Sequence, residues 1–224
     1  MYGTCHHRQK GKKIFEAVWN IVAIAAPVFG GRIPAIVTQS LAKLNGTGKK
    51  AVTLVVYGNR AYEDALLELN DITEKCKFEI IASGAFIAQH SMNPDIAAGR
   101  PDDKDRKVIT EFAEKVILKL NSEAKNKIKV PGNYPYKVFT PLPTTPLSLS
   151  ACTLCQQCVS VCPTNAITME TGAIKTNPEK CILCMACTAN CPENIRILPP
   201  PLQEKMRQML GKLKSVHREN EFFL

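Results

Sequence analysis

Two matching runs of cysteines constrain this sequence more than any other feature. Between residues 152 and 191 the pattern C-x-x-C-x-x-C-x-x-x-C-P occurs twice, with an offset of 29 residues. A fixed offset over four cysteines and a proline is an internal repeat. The repeat predicts two equivalent halves, related by an approximate twofold axis, that each supply one cofactor site. The first run comprises Cys152, Cys155, Cys158 and Cys162, followed by Pro163, and the second comprises Cys181, Cys184, Cys187 and Cys191, followed by Pro192.

The spacing within each run predicts ligation of a 4Fe–4S cluster. Three thiolates at every third residue can surround one face of a cubic cluster from one short loop, with peptide N–H groups turned toward the sulfides. The fourth cysteine lies one helical turn further on, and in this bacterial pattern it binds the other cluster. The proline after it predicts a helix end, because proline lacks the N–H that would continue a helix. The predicted ligand sets are therefore Cys152, Cys155, Cys158 and Cys191 for one cluster, and Cys181, Cys184, Cys187 and Cys162 for the other.

Zinc and disulfide bonds are the two alternatives for these cysteines. Zinc sites also use C-x-x-C pairs, but each run here has a third cysteine at equal spacing and then a fourth with proline. Disulfide bonds need an oxidising compartment, and the N-terminal residues do not form a convincing signal peptide. Soft thiolate ligands suit iron–sulfur clusters, so we favour two 4Fe–4S clusters over both alternatives.

The segment from Cys152 to Leu198 resembles a bacterial-type two-cluster 4Fe–4S ferredoxin domain. The likeness includes the Asn-Ala-Ile of residues 165–167, which follows the first C-P. The family usually has glycine between the second and third cysteines, where this sequence has Gln156 in the first run and Met185 in the second. These replacements remove no ligand. The resemblance implies a small α+β domain that transfers electrons.

In the first half of the chain, apolar strand patterns alternate with helical patterns, which predicts an α/β fold with a parallel sheet. Continuous apolar runs predict strands over residues 21–26, 51–57 and 78–88, and we expect the first to be buried on both faces. The segment 46–49 precedes a strand, whereas a phosphate loop follows one, so we interpret it as a turn.

Helical periodicity predicts helices over residues 33–44, 65–72 and 103–120 of this half. On the second helix one face carries Ala65, Leu66, Leu69 and Ile72. The third is expected to bury five apolar side chains, namely Val108, Ile109, Phe112, Val116 and Leu120.

Prolines divide the chain into its predicted domains. Five prolines between residues 131 and 146 predict a stiff linker without regular structure. We therefore predict an α/β domain over 1–128, a linker over 129–147, a ferredoxin domain over 148–198 and a C-terminal helix and tail over 199–224. Residues 170–172 are predicted to form a hairpin tip. The C-terminal helix is expected to dock on the chain's own surface through an apolar face formed by Leu202, Met206, Met209, Leu210 and Leu213.

Taken together, the two halves resemble bacterial and archaeal fusions of a flavodoxin-like domain with a two-cluster ferredoxin domain. The segments 26–34, 57–66, 131–136 and 221–224 carry this likeness. In that family, loops at the carboxyl ends of the strands contact the ring of FMN, where parallel sheets commonly bind ligands. The resemblance implies flavin contacts from Pro27, Phe29, Gly30, Gly31, Tyr57, Gly58, Asn59 and Tyr62.

The sequence departs from that family before its first predicted strand. Such domains begin with a strand and a Ser/Thr/Gly-rich loop that places the FMN phosphate at a helix N-terminus. The residues before Ile21 contain no such loop. The predicted domain is therefore a partial flavodoxin-like sheet whose first strand has an open edge. We expect it to bind FMN weakly or not at all.

Composition and charge limit the other classes of function. The formal net charge is +9, but Lys and Arg do not form dense blocks, so nucleic-acid binding is weakly supported. No segment reaches the roughly 20 apolar residues of a membrane span. The basic residues 8–13 and the apolar run after them imitate a signal peptide but lack its cleavage site, which favours the cytoplasm. Cys5, His6 and His7 are expected to belong to a solvated tail.

These observations predict a cytoplasmic electron carrier. Its two clusters would pass single electrons between a redox donor and an acceptor, and the α/β half would serve as a docking surface. One alternative is an FMN-dependent oxidoreductase that receives electrons through the clusters. Another is a zinc-stabilised interaction module without redox activity. We favour a non-catalytic carrier over both.

Overall fold

A computed structural model describes residues 21–120 and 126–224 of this chain. The predicted solvated tail with Cys5, His6 and His7 lies outside these residues. The helices are α1 (Ala35–Leu41), α2 (Ala65–Lys75), α3 (Asp103–Leu120), α4 (Gln157–Ser160), α5 (Ala186–Ala189) and α6 (Pro200–Leu210). The strands are β1 (Ile21–Pro27), β2 (Lys50–Tyr57), β3 (Glu79–Ile87), β4 (Leu147–Ser148), β5 (Ile167–Glu170), β6 (Ala173–Thr176), β7 (Arg196–Ile197) and β8 (Glu221–Phe223).

The first half of the chain forms the predicted α/β fold, but its sheet is only partly parallel. The strand order is β1-β2-β3-β8, with the first three strands parallel and β8 antiparallel to β3. All three predicted strands are present, and residues 46–49 form a turn before β2. The fold of this half is therefore α/β, but its last strand comes from the C-terminus.

Strand β1 corrects one prediction, because it is buried on one face only. Ile24 and Ala26 point into the core at 6% and 3% exposure, whereas Ala23 and Ala25 are exposed. In the part of the chain that the structure describes, β1 is at the edge of the sheet and has only β2 as a neighbour. A continuous apolar run does not reveal whether a helix covers its second face, and within residues 21–120 and 126–224 no helix covers Ala23 and Ala25.

Helices pack on both faces of the sheet. On one face, α1 and α2 bury the larger core cluster, which includes Val55, Leu66 and Leu69. On the other face, α3 packs Phe112 and Val116 against the strands. Helix α1 is shorter than predicted, because it begins only after Pro34 and ends at Leu41.

Helix α3 has the predicted bounds but buries fewer of the predicted side chains. Phe112 and Val116 are buried, and Val108 and Leu120 are half-buried. Ile109 is 38% exposed, so its predicted burial is wrong. The helix covers a narrower strip of the sheet than five apolar side chains would span.

Residues 126–146 contain neither helix nor strand, as their prolines predict. This segment is nevertheless attached to the start of α2 through one carboxylate. The backbone N–H groups of Asn133 and Lys137 donate to the two oxygens of Asp64, at 2.9 and 2.6 Å. The proline-rich segment therefore lies against the α/β half.

The cysteine-rich region contains two short helices and two small antiparallel pairs. Strands β5 and β6 form a hairpin with its turn at Thr171 and Gly172, as predicted, and β4 pairs with β7. Helix α4 ends at Ser160 and α5 at Ala189, before Pro163 and Pro192 respectively. The fourth cysteine of each run thus lies just beyond a helix.

Helix α6 docks on the chain itself, as expected. Met206 and Leu210 pack with Ile96 of the α/β half, and Leu202 also contacts the cluster region. Met209 is 59% exposed, so its predicted place on the docked face is wrong. No helix within the described ranges is long and apolar enough to cross a membrane.

Candidate metal centre

The backbone of the two cysteine loops repeats as the sequence does. Leu154 and Gln156 have φ angles of 57° and 60°, and their counterparts Leu183 and Met185 have φ angles of 52° and 62°. Residues other than glycine seldom adopt this left-handed region, which explains the family's usual glycine at the position of Gln156 and Met185. Left-handed residues in such a loop turn successive N–H groups into one concavity, which is common at iron–sulfur sites. Both loops therefore suit an anionic cluster.

The first loop shares a cavity with the fourth cysteine of the other run. Ser148, Ile195 and Arg196 line the walls of this cavity together with the cysteines. The thiols that line it belong to Cys152, Cys155, Cys158 and Cys191. This is the first of the two ligand sets that the spacing predicts. Cys162, which follows the first loop in sequence, is absent from this cavity lining.

Within the second predicted set, neighbouring thiols raise the pKa of Cys181 and Cys184, which indicates that the set lies close together. Burial raises the pKa of Cys184, and the neighbouring thiols Cys187, Cys162 and Cys181 raise it further. Burial likewise raises the pKa of Cys181, with added contributions from Cys187 and Cys162. Cys162 is therefore close enough to act on two thiols of the other run.

Both fourth cysteines lie among backbone N–H groups. The N–H of Ala166 donates to Cys162 Sγ at 3.2 Å, and the hydroxyl of Thr164 is 3.6 Å from the same sulfur. Burial opposes ionisation of Cys162, but these donors outweigh it and lower the pKa of the thiol. Cys191 behaves in the same way, because the N–H groups of residues 193–196 together lower its pKa against the effect of burial. Such donors stabilise the thiolate form, which is the form that binds metal.

The two loops differ in their access to solvent. In the first loop, Cys155 and Gln156 are exposed. In the second loop, Leu183 and Met185 are 8% and 6% exposed and pack against Leu198. The first loop is therefore more accessible to solvent than the second.

Arg196 is a member of this site that sequence reasoning missed. Its side chain is buried, with 3% exposure for the residue, and it lines the cavity of the first set. Nη1 donates to the hydroxyl of Ser148 at 2.9 Å, and Nη2 donates to the hydroxyl of Thr176. Nε has no hydrogen-bond partner among the described residues. Its one signal in the sequence is the contrast with Ile167, which occupies the equivalent position of the repeat.

The remaining observations on metal ligands concern the described residues only. The nine cysteines that the structure describes are all free of disulfide bonds. Cys76 lies apart from the loops, and its thiol donates to the carbonyl of Leu41 at 3.2 Å. Within residues 21–120 and 126–224, no three His, Cys, Asp or Glu side chains converge closely enough to hold one metal ion. Ligation of a cluster does not require such convergence, because each cysteine binds a different iron.

The residues that the flavodoxin-like resemblance assigns to a flavin lie at the ends of β1 and β2. Gly30 and Gly31 form a turn closed by hydrogen bonds between Phe29 and Arg32, at 2.9 and 3.2 Å. Side chains of other segments lie against both glycines, since an added Cβ would meet Phe139 at Gly30 and Glu63 at Gly31. Pro27 is exposed at the end of β1.

The two tyrosines at the end of β2 and in the segment that follows it are buried in the core. Tyr57 and Tyr62 are 4% and 7% exposed, and their rings meet edge to face with centroids 5.4 Å apart. The hydroxyl of Tyr62 donates to Glu221 at 2.8 Å. Asn59 is 1% exposed and donates to the carbonyl of Val216 at 2.7 Å.

An open pocket lies next to these tyrosines. It is formed by the segment after β2, the proline-rich segment and the C-terminal tail. The residues that line it are Tyr57, Ala61, Tyr62, Glu63, Pro131, Gly132, Asn133, Arg218 and Glu221. Gly58, in the segment after β2, is not part of the lining, and an added Cβ there would meet His90. The structure thus brings Tyr57 and Tyr62 to one pocket, but places Pro27, Phe29, Gly30 and Gly31 outside its lining.

Comparison with known proteins addresses the cysteine-rich region. Residues 147–192 match the family model of the 4Fe-4S dicluster domain. This match includes all eight cysteines of the two runs. It supports iron–sulfur electron transfer and at least one 4Fe–4S cluster at these thiols. No curated protein matches the chain.

Proposed function

We propose that this chain is an electron carrier in which two 4Fe–4S clusters relay single electrons between a redox donor and an acceptor. The observation that carries the proposal is the cavity lined by Cys152, Cys155, Cys158 and Cys191. These thiols come from both runs, as two crossed ligand sets require. When bound, the clusters supply one-electron chemistry, and the chain supplies thiolates, inward-facing N–H groups and protection from solvent.

The difference in exposure between the two loops supports a route for the electron. Cys155 and Gln156 face solvent, so a partner protein that docks there reaches the first site directly. The second loop is covered by Leu198 and Leu202, and Met92 of the α/β half packs against the same cluster of side chains. We infer that the first site exchanges electrons with a partner, while the second lies toward the α/β half.

Iron and sulfide analysis tests this function. Protein purified without oxygen is expected to contain about eight irons and eight acid-labile sulfides per chain, because each of two cubic clusters holds four of each. Reduction should bleach the broad visible absorption of the clusters. Stoichiometric zinc without labile sulfide would instead establish the zinc-stabilised module.

The charges around the open pocket favour a carrier over an FMN-dependent enzyme. Two carboxylates, Glu63 and Glu221, line the pocket together with a single arginine, Arg218. The arginines in the segments after β1 and β2 are already in ion pairs. Arg32 pairs with Glu68 at 2.7 Å, and Arg60 pairs with Glu63 at 3.0 Å. An FMN phosphate needs several N–H donors or cations when it is buried. The pocket offers it more negative charge than positive.

We therefore expect the cluster-loaded chain to bind FMN weakly or not at all. Each missing charge-assisted hydrogen bond is worth roughly 1.5–3 kcal/mol, so losing several of them weakens binding by a few powers of ten. Titration with FMN, followed by flavin fluorescence, measures the affinity, and riboflavin serves as the control without phosphate. Stoichiometric quenching at submicromolar FMN would contradict the expectation and support the FMN-dependent oxidoreductase.

A further inference from the structure

Arg196 is a buried cation that has no ion-pair partner among the described residues, although the exposed Glu193 lines the same cavity. Its residue exposure is 3%, and its two terminal nitrogens donate only to the neutral hydroxyls of Ser148 and Thr176. Among the described residues it forms no ion pair with a carboxylate. Burial of an unpaired charge is costly, so buried arginines normally face an anion.

The position of Arg196 identifies that anion. The residue lines the cavity of the first ligand set together with all four of its cysteines. Four thiolates carry more negative charge than an oxidised cluster core carries positive charge. A cluster at these four cysteines is therefore a buried anion beside a buried cation.

The repeat has no counterpart of this cation in its other half. Position 167 is equivalent to position 196 by the offset of 29 residues, and Ile167 occupies it. Ile167 is 4% exposed and packs with Cys158 and Cys187 as an apolar side chain. The two cluster sites, which are alike in their cysteines and in the φ angles of their loops, thus differ in charge at one equivalent buried position.

We propose that Arg196 donates Nε–H to a sulfur of the cluster bound by Cys152, Cys155, Cys158 and Cys191. This contact raises the reduction potential of that cluster above the potential of the second cluster. The proposal rests on the two-cluster function. Hydrogen bonds to the sulfurs and the local charge are established determinants of cluster potential. Reduction adds one electron and no proton to the site, so a fixed positive charge stabilises the reduced form more than the oxidised form. Electrons that enter the chain therefore settle on the solvent-facing cluster.

Redox titration of the cluster-loaded full chain, followed by EPR, tests this role. Arg196→Met keeps the length of the side chain but removes its charge and its donor. We expect it to lower the potential of one cluster by about 59 mV or more, which is a tenfold change in a one-electron equilibrium. The other cluster should shift less. Arg196→Lys, which keeps the charge without the guanidinium geometry, should shift the potential by a smaller amount.

Lys175→Met is the matched control, because it removes an exposed positive charge from the neighbouring strand β6. It should leave both potentials unchanged, and Cys155→Ser identifies the signals of the first cluster. If Arg196→Met fails to hold that cluster, loss of about half the iron together with the EPR signal that Cys155→Ser identifies still places Arg196 at the first site, and Arg196→Lys supplies the potential. Unchanged potentials in an intact Arg196→Met protein, or equal shifts of both clusters, would overturn the proposal. The wild-type iron content tests the two-cluster function separately.

Discussion

Replacement of Cys191 by alanine is expected to remove about half of the iron, from about eight to about four atoms per chain. The cluster that is lost should belong to the loop of the other run. Cys191 lines the cavity of Cys152, Cys155 and Cys158, and without its thiolate one iron of that cluster has no protein ligand. Alkylation of the folded protein, followed by mass spectrometry of its peptides, reads out which thiols have become free.

In Cys191→Ala we expect the reagent to label the three cysteines of the first loop and to spare those of the second. The mirror variant Cys162→Ala should expose Cys181, Cys184 and Cys187 instead. Cys76→Ala is the control, because its thiol donates to the Leu41 carbonyl, packs against the core of the α/β half and lies apart from both cysteine loops. Labelling of the second loop in Cys191→Ala would show that each run holds its own cluster.

The candidate site could be predicted from sequence as far as its ligands are local. Cysteine spacing determines which thiols one loop can present, so the first three ligands of each set follow directly from the pattern. The repeat also places left-handed residues at equivalent positions, such as Gln156 and Met185. Arg196 could not be recognised in this way, because its burial depends on β4 pairing with β7 and on the hydroxyl of Thr176. Its only sequence signal is the mismatch with Ile167 across the repeat.

For the fold too, elements with a regular local pattern were predictable, and features that depend on distant parts of the chain were not. Strands β1 to β3 and helix α3 were predictable, because each has a long and regular apolar pattern. Strand β8 was not, because three residues carry no periodicity and their partner β3 is far away in the sequence. The exposure of Ile109 was missed for a related reason, since periodicity identifies a helix face but not how much of that face is covered.

The loss of the Asp105 carboxylate is expected to have the largest effect on the stability of the α/β half. Asp105 and Arg100 form an ion pair with side-chain exposures of 2% and 6%, and Arg100 Nε donates to Asp105 at 2.8 Å. The pair also holds the C-terminal tail, because Asn220 donates to Asp105 at 2.7 Å and Arg100 donates to the carbonyl of Arg218 at 2.6 Å. Removal of one partner from a buried pair costs about 3–5 kcal/mol, since it leaves the other charge buried and unpaired.

Amide hydrogen exchange of the cluster-loaded protein measures this effect region by region. Asp105→Ala should reduce the protection of α3, β3 and β8 roughly a hundredfold or more, since each 1.4 kcal/mol is a factor of about ten. Asp103→Ala on the same helix is the control, because Asp103 is 95% exposed in its pair with Arg106. The control should change stability by less than about 1 kcal/mol. Equal protection in the two variants would show that the buried pair contributes no more than the surface one.

The pH dependence and a double variant separate the lost contact from the stranded charge. The Arg100 guanidinium, together with the N–H of Asp102 and Asn220, holds the pKa of Asp105 well below its ordinary value against the effect of burial. A folded-state pKa below the unfolded one contributes its full stability above the unfolded pKa, and this is lost as the pH falls through the folded value. The wild-type protein should therefore keep this contribution to its stability at neutral pH and lose it only in acid, whereas Asp105→Ala should show no such loss.

Arg100→Met combined with Asp105→Leu should regain protection relative to Asp105→Ala, because an apolar pair leaves no buried charge unpaired. If the double variant were no better protected than Asp105→Ala, the loss would come from the broken bonds to Arg218 and Asn220, and the tail would be the main contributor.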